Sequence, residues 1–274
     1  MGFIHIVFLA IIQGLTEFIP VSSSAHLVIL PQIFYSVSQS IGIDIAVHMG
    51  SLLAVVHIFW NDLKRLFSGM FDVILLKKHD IRSNIFLLTS AATVPIVVIT
   101  ILLFAFNLTY LLRNIYVISI ASIFFSIPLF LADKNSSKAR KIQDLTYSDA
   151  ISIGVWQCFA VIPGASRAGC CITGALIRGY TRMDSTHISF LFAIPTILGS
   201  SILLFLELLL LPNSQVFQQN LKDIIYCVIL SYLSAFLAIK LFFRYIEKIS
   251  LLPFVIYRIL FGSIILITAI FSSL

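Results

Sequence analysis

Residues 84–106, NIFLLTSAATVPIVVITILLFAF, carry no charge from end to end. About 20 apolar residues are enough to cross a hydrocarbon core as a helix. Five more stretches read the same way, at about 42–60, 115–132, 188–211, 222–243 and 252–273. Inside a bilayer every backbone N–H and C=O must find its partner within the protein, which leaves helices or a closed barrel. Apolar runs of this length without alternation select helices. Composition agrees, since 11% of the 274 residues are charged against about 25% in an average soluble domain. The chain reads as one all-α integral membrane domain, 1–274, with six transmembrane helices and no soluble appendage.

Two stretches break the pattern. Residues 3–33 and 150–180 each hold two short apolar pieces around a polar, proline-containing centre, QGLTEFIPVSSSAH in the first and IPGASRAG in the second. Such a centre is tolerated at membrane depth only where protein or a watery cavity satisfies it. Two re-entrant helical hairpins are the simplest arrangement.

The basic residues fit that arrangement. With both hairpins returning to the side they entered, fourteen of the 18 Lys and Arg fall on one face. They are Lys64, Arg65, Lys77, Lys78 and Arg82 in loop 61–83; Lys134, Lys138, Arg140 and Lys141 in loop 133–149; Arg178 and Arg182 in 178–187, whose stretch from Thr181 to His187 reads as loop; and Lys240, Arg244 and Lys248 before the last span. The opposite loops keep Arg113 and Lys222, while Arg167 and Arg258 lie within membrane segments. The positive-inside bias makes the basic face cytoplasmic and puts both termini outside. It also accounts for the net charge of +6 without nucleic acid. Each half, roughly 1–132 and 150–274, is then one hairpin followed by three spans, so the second half is inverted relative to the first. Inverted repeats place their site near the midplane, where broken helices meet. FIPVSSSAH (18–26) aligns on its proline with VIPGASRAG (161–169), which sets Ser23 against Ser166 and Ala25 against Ala168.

Ionisable groups inside a membrane cost about 2.5–3.5 kcal/mol on insertion scales and by default mark function. The first hairpin holds Glu17 and His26 with Ser22, Ser23 and Ser24 between them, and the second holds Arg167 beside Ser166. If the tips meet, these groups share one cavity. The set suits phosphoryl chemistry. A guanidinium offers paired donors to phosphate oxygens. Gly164 and Gly169 let backbone N–H groups approach closely, and helix starts after Pro20 and Pro163 add positive dipole ends. Ser or His can be the nucleophile, or His can activate water directly, and His or Glu can be the acid or base. Glu17 can position His26 or hold a divalent cation that bridges phosphates. Against this, Ser22 or Ser24 can simply cap a helix. Asp44 and His48 sit one helical turn apart and can line the cavity mouth. His57 reads as a packing residue, and Arg258 as one that snorkels or pairs within the bundle. The four cysteines show no paired metal spacing.

At these residues the chain resembles the undecaprenyl-diphosphatase family of the bacitracin-resistance type. QGLTEFIPVSSSAH resembles that family's first motif, with Gln13 and Glu17 at its two acidic-or-amide positions, and IPGASRAG resembles its Pro-Gly-x-Ser-Arg-Ser-Gly motif. GSLLAVVHIFW, LTYSDAISIGVWQC, FLFAIPTILG and ISLLPFVIYRIL follow in matching order, so the resemblance covers nearly the whole chain. Gln13 stands where many members carry Glu, Ala25 where Gly and Ala168 where Ser are usual, and Asp44 and His48 where Glu and Gln are expected. The resemblance implies hydrolysis of undecaprenyl diphosphate to undecaprenyl phosphate and inorganic phosphate in the bacterial inner membrane. That reaction recycles a carrier lipid for peptidoglycan synthesis and lowers sensitivity to bacitracin. It further implies an outward-opening site and support by Mg²⁺ or Ca²⁺. Glu17, Ser23, His26 and Arg167 are the expected catalytic residues, and Gln13, Ser22, Gly164, Ser166, Asp44 and His48 the substrate-binding ones. The partners are the polyprenyl lipid, the membrane and a possible second copy of the chain.

Two other classes compete. A flippase or transporter is built from the same broken, inverted elements. The other broad class of membrane lipid phosphatases requires a Lys-x6-Arg-Pro segment, which this sequence lacks.

Overall fold

The computed structural model describes residues 3–33, 41–76, 81–106, 108–112, 114–210 and 220–272. Lys77, Lys78, Arg113 and the side chain of Arg82, counted above, lie outside what is described. In chain order the helices are α1 (Phe3–Thr16), α2 (Ser23–Ile33), α3 (Ile41–Ile58), α4 (Trp60–Ile74), α5 (Ile81–Ala105), α6 (Thr109–Leu112), α7 (Ile115–Asn135), α8 (Tyr147–Cys158), α9 (Arg167–Ile177), α10 (Arg182–Leu210), α11 (Leu221–Tyr245) and α12 (Leu252–Ser272). Among the described residues the only pairing of strand type is a single bridge between Arg140 and Tyr180.

Helices α5, α7, α10, α11 and α12 are each long and apolar enough to cross a membrane. Helix α3 makes a sixth candidate only together with α4, from which it is bent by 88°. Residues 61–83, expected as a loop, are therefore largely helical. Their charges drew attention away from a helical period. Leu63, Leu66 and Gly69 lie buried on one face, which packs on α5, while Lys64 and Arg65 point outward. Lys64 sits 5.5 Å over the ring of exposed Trp60.

Helix α10 likewise starts at Arg182, so most of the expected loop from Thr181 to His187 is its first turn. The Thr181 hydroxyl accepts the Asp184 N–H at 3.0 Å, the bond of an N-cap. Asp184 then sits in the first turn, where a carboxylate suits the helix dipole.

Buried carboxylates assemble one end of the bundle. Asp133, near the end of α7, accepts from Arg182 Nε at 2.5 Å and from the Leu251 N–H at 2.9 Å, with Lys138 at 3.5 Å. This gathers the end of α7 and the starts of α10 and α12. Asp149, in the first turn of α8, accepts from both Nη atoms of Arg140 (3.0 and 2.6 Å), Arg178 Nε (2.5 Å), Tyr180 Oη (2.8 Å) and Thr146 Oγ1 (2.6 Å). Burial alone would raise its pKa. The bonds from Arg140, Thr146, Arg178 and Tyr180 outweigh burial and hold the carboxyl well below the usual carboxylate range.

The chain before α8 and the chain after α9 meet at this same end. Gly179 O accepts from the N–H groups of Ala139 and Arg140 at 3.0 Å each, and Arg140 O accepts from Thr181 N–H at 3.0 Å. The α1–α2 pair sits at the other end. Phe3 packs on Tyr226 near the start of α11, ring centroids 5.4 Å apart, and Val28 and Ile29 pack with Ile115 and Ile118 at the start of α7. Small residues permit close seating there. A Cβ on Gly14 would fall 2.5 Å from Ser231 O, and one on Gly50 would fall 2.4 Å from Val228 O, so α1 and α3 both press on α11.

Candidate active site

Glu17 extends α1 by one residue, its N–H bonding Gln13 O at 3.0 Å. One turn apart, the two side chains meet, and Gln13 Nε2 donates to Glu17 Oε2 at 2.9 Å. The chain then turns through Pro20 and enters α2 by way of Ser22, held in the left-handed region at φ 77°. That turn brings Ser23 back over the end of α1, where its hydroxyl donates to Glu17 Oε2 at 2.6 Å.

The second tip is built alike. Pro163 is followed by Gly164 at φ 98°, and Ser166 at φ 70° caps α9 by accepting the Gly169 N–H at 3.2 Å. Only glycine fits position 164, because a Cβ there would lie 2.3 Å from Ile118 O. Gly164 N–H donates to Ser22 Oγ at 3.2 Å, which joins the two tips directly. Arg167, the first residue of α9, lies with Nη2 3.6 Å from Glu17 Oε1, donates Nη1 to Ser189 O at 3.2 Å and rests 5.6 Å over the Phe18 ring. The Glu17 and Arg167 side chains are 8% and 12% exposed, so the pair is buried yet reachable. Arg167 Nε and Nη2 and Gln13 Oε1 are buried without a hydrogen-bond partner. Three buried, unmatched polar atoms within one cluster are a place where a polar ligand is wanted.

Gln13, Glu17, Ser22, Ser23, Gly164, Ser166 and Arg167 are thus brought together. His26 is attached to the cluster by a different route from the one expected. Its Nδ1 donates to Ser22 O at 2.7 Å, and in the neutral ring Nε2 accepts the Tyr257 hydroxyl at 2.6 Å. Phe261 stacks on the ring at 4.2 Å. The structure therefore pairs the carboxylate with Ser23 and leaves the imidazole on Tyr257. His48 turns its Nδ1 onto the carbonyl of Asp44 at 2.7 Å, which ties it to its own helix rather than to the tips.

The two tips also correspond differently from their proline alignment. Ser22 and Ser166 share the left-handed conformation immediately before a helix, so Ser22 rather than Ser23 matches Ser166 in backbone role. Tyr257 and Arg258 of α12 belong to the site as well, Arg258 donating to Gly164 O and Ala165 O at 3.0 and 2.8 Å. A charge inside the run LLPFVIYRIL marked Arg258, but no pattern marked Tyr257.

Known proteins share this chain from end to end. The family described as bacitracin resistance protein BacA matches residues 6–264. An undecaprenyl-diphosphatase of Saccharophagus degradans is 40% identical over 96% of this chain and 97% of its own length. Those of Dinoroseobacter shibae and Ruegeria pomeroyi are 39% and 36% identical, over 98% and 97% of this chain and 99% and 98% of their own. With a family match across most of its length and relatives this similar over nearly all of it, the chain belongs to the BacA family.

Proposed function

We propose that this protein hydrolyses undecaprenyl diphosphate to undecaprenyl phosphate and inorganic phosphate, and that it thereby recycles the carrier lipid and confers bacitracin resistance. One observation carries the reading. A serine hydroxyl 2.6 Å from a carboxylate stands beside a buried guanidinium with unmatched donors, where two broken helices meet.

Arg167 and the first-turn N–H groups of α9 hold the terminal phosphate and offset the charge that builds on its oxygens. Ser23 Oγ attacks the terminal phosphorus while its proton passes to Glu17, 2.6 Å away. The bond from that phosphorus to the bridging oxygen breaks, and undecaprenyl phosphate leaves. Glu17 releases that proton to the departing phosphate; water then attacks the phosphoserine and gives its proton to Glu17, which returns it to Ser23 Oγ as the P–Oγ bond breaks and inorganic phosphate leaves. His26 holds the tip through Ser22 O rather than acting as the base.

A divalent cation would fit the cluster beside a bound diphosphate. Among the described residues no three His, Cys, Asp or Glu gather to hold one alone. Glu17 and the unpartnered Gln13 Oε1 would be its protein ligands. Such a cation would neutralise diphosphate charge. Asp44 and His48 are proposed to line the entrance.

The same reading makes α1–α2 and α8–α9 re-entrant hairpins of an inverted repeat. It is supported by the joined flanks of the second pair and by the opposite ends at which the two pairs sit. The basic end then faces the cytoplasm, and the site opens to the outer face of the plasma membrane.

Purified protein in detergent, given undecaprenyl diphosphate, is expected to release phosphate with no membrane to cross. Lipid movement between leaflets in vesicles without phosphate release would instead establish the flippase reading.

A further inference from the structure

Two neighbouring residues of α12 reach one tip each. Tyr257 bonds His26 of the first, and Arg258 Nη2 grips two consecutive carbonyls, those of Gly164 and Ala165, in the second. Arg258 is 0% exposed and is the largest fully buried side chain among the described residues. It has no carboxylate partner there, and its Nε and Nη1 bond nothing. A buried guanidinium without a counter-ion is costly in a membrane segment. An apolar side chain of similar volume would pack at least as well. The grip on two carbonyls is what the charge accomplishes.

Helix α12 is itself fixed. Ser122 Oγ on α7 donates to Arg258 O at 3.1 Å, and one turn later a Cβ on Gly262 would lie 2.8 Å from Ser119 O. With the carbonyls of residues 164 and 165 turned toward α12, the chain passes through left-handed Ser166 and delivers Arg167 to Glu17. Resting on the phosphatase reading above, we infer that Tyr257 and Arg258 are positioning residues. Together they form a clasp on α12 that sets the distance between the two tips, and with it the distance from Arg167 to Ser23.

The test compares kcat, KM and backbone hydrogen exchange in purified Arg258→Gln, Arg258→Lys and Tyr257→Phe proteins. A shift of reacting groups by about 1 Å costs on the order of 10²-fold in rate. Arg258→Gln is expected to lose about that much kcat with KM little changed. Lys, which keeps the charge, should recover part of the loss. Exchange should rise at residues 162–169 and stay at the wild-type level around Asp149. Tyr257→Phe keeps the stacked ring and should lower kcat by roughly tenfold.

Wild-type kcat in folded Arg258→Gln would overturn the inference, and so would a loss that lies in KM or exchange that rises throughout the molecule. If the Gln variant does not fold, the Lys variant decides. A folded Lys variant with lowered kcat and local exchange supports the clasp, and one indistinguishable from wild type removes it. Failure of the wild-type protein itself to release phosphate would sink the phosphatase reading, and the exchange pattern would then judge the clasp alone.

Discussion

In the proposed mechanism Ser23 and Glu17 act as one unit, and that has a kinetic consequence. The Ser23 hydroxyl already donates to the Glu17 carboxylate, 2.6 Å away. Residues that act as a unit are strongly non-additive. Ser23→Ala and Glu17→Gln are each expected to lower kcat severely, and the double variant should be little slower than either single one. Additive losses would separate the two residues. Arg167→Ala removes the guanidinium proposed to face the transferring phosphate, for an expected loss on the order of 10³-fold or more in kcat. Circular dichroism should show the fold intact; near-normal turnover would reject the assignment. Gln13 brings a sharper test of the cation. It contributes an unpartnered oxygen but no charge, so Gln13→Glu adds a second carboxylate beside Glu17. Chelator should suppress phosphate release by the native protein, and Gln13→Glu should reach half-maximal activity at lower Mg²⁺. Full activity in chelator would remove the cation.

At the scale of elements, the polar centres announced themselves in the sequence, but their geometry did not. Proline inside an apolar stretch, with Glu17 and Arg167 beside it, located both tips to within a few residues. The pairing of tip residues depends on φ at Ser22 and Ser166, which no side-chain pattern encodes, so the proline alignment slipped by one position. Helix α4 was hidden for a related reason, because Lys64 and Arg65 on its outer face obscured the Leu63–Leu66 stripe. Asp149 shows what charges in loops can conceal. Arg140 and Arg178, counted as topology signals, converge on this one buried carboxylate at 2.6 and 2.5 Å. Asp149→Asn should destabilise the protein by about 3 kcal/mol, the lower end for breaking a buried pair. The low end applies because the two arginines are 31% and 37% exposed and can turn to water. Thermal unfolding in detergent measures it, and an unchanged midpoint would show that the network contributes nothing. Since the folded pKa is depressed, this stabilisation is complete above the unfolded Asp value of about 3.9 and is lost only as pH falls well below it.

For the whole molecule, the question is which parts cross the bilayer. Asp133 draws the end of α7 and the starts of α10 and α12 to one end, and Asp149 adds the start of α8 and the end of α9. Six residues separate the end of α11 from the start of α12, so the start of α11 lies at the far end, near Phe3. The proposed arrangement, six crossings and two returning hairpins, is compatible with these contacts. The bridge between Arg140 and Tyr180, on either side of α8–α9, supports the proposed return of that pair. The consequence can be measured in cells with single cysteines in a background where Cys158, Cys170, Cys171 and Cys227 are replaced. Cysteines at Ser137, Lys141 and Lys248 should react with a membrane-impermeant maleimide only after the membrane is opened. One at Asn220 should react in intact cells once the outer barrier is permeabilised. Labelling of Lys141 and Lys248 from opposite sides would break the argument, because Asp133 and Asp149 could not then assemble one face. Labelling of all three from outside would keep the fold and reverse its orientation, moving the site's mouth to the cytoplasm. The charge asymmetry opposes that outcome, since Lys138, Arg140, Arg178 and Arg182 gather on these two carboxylates.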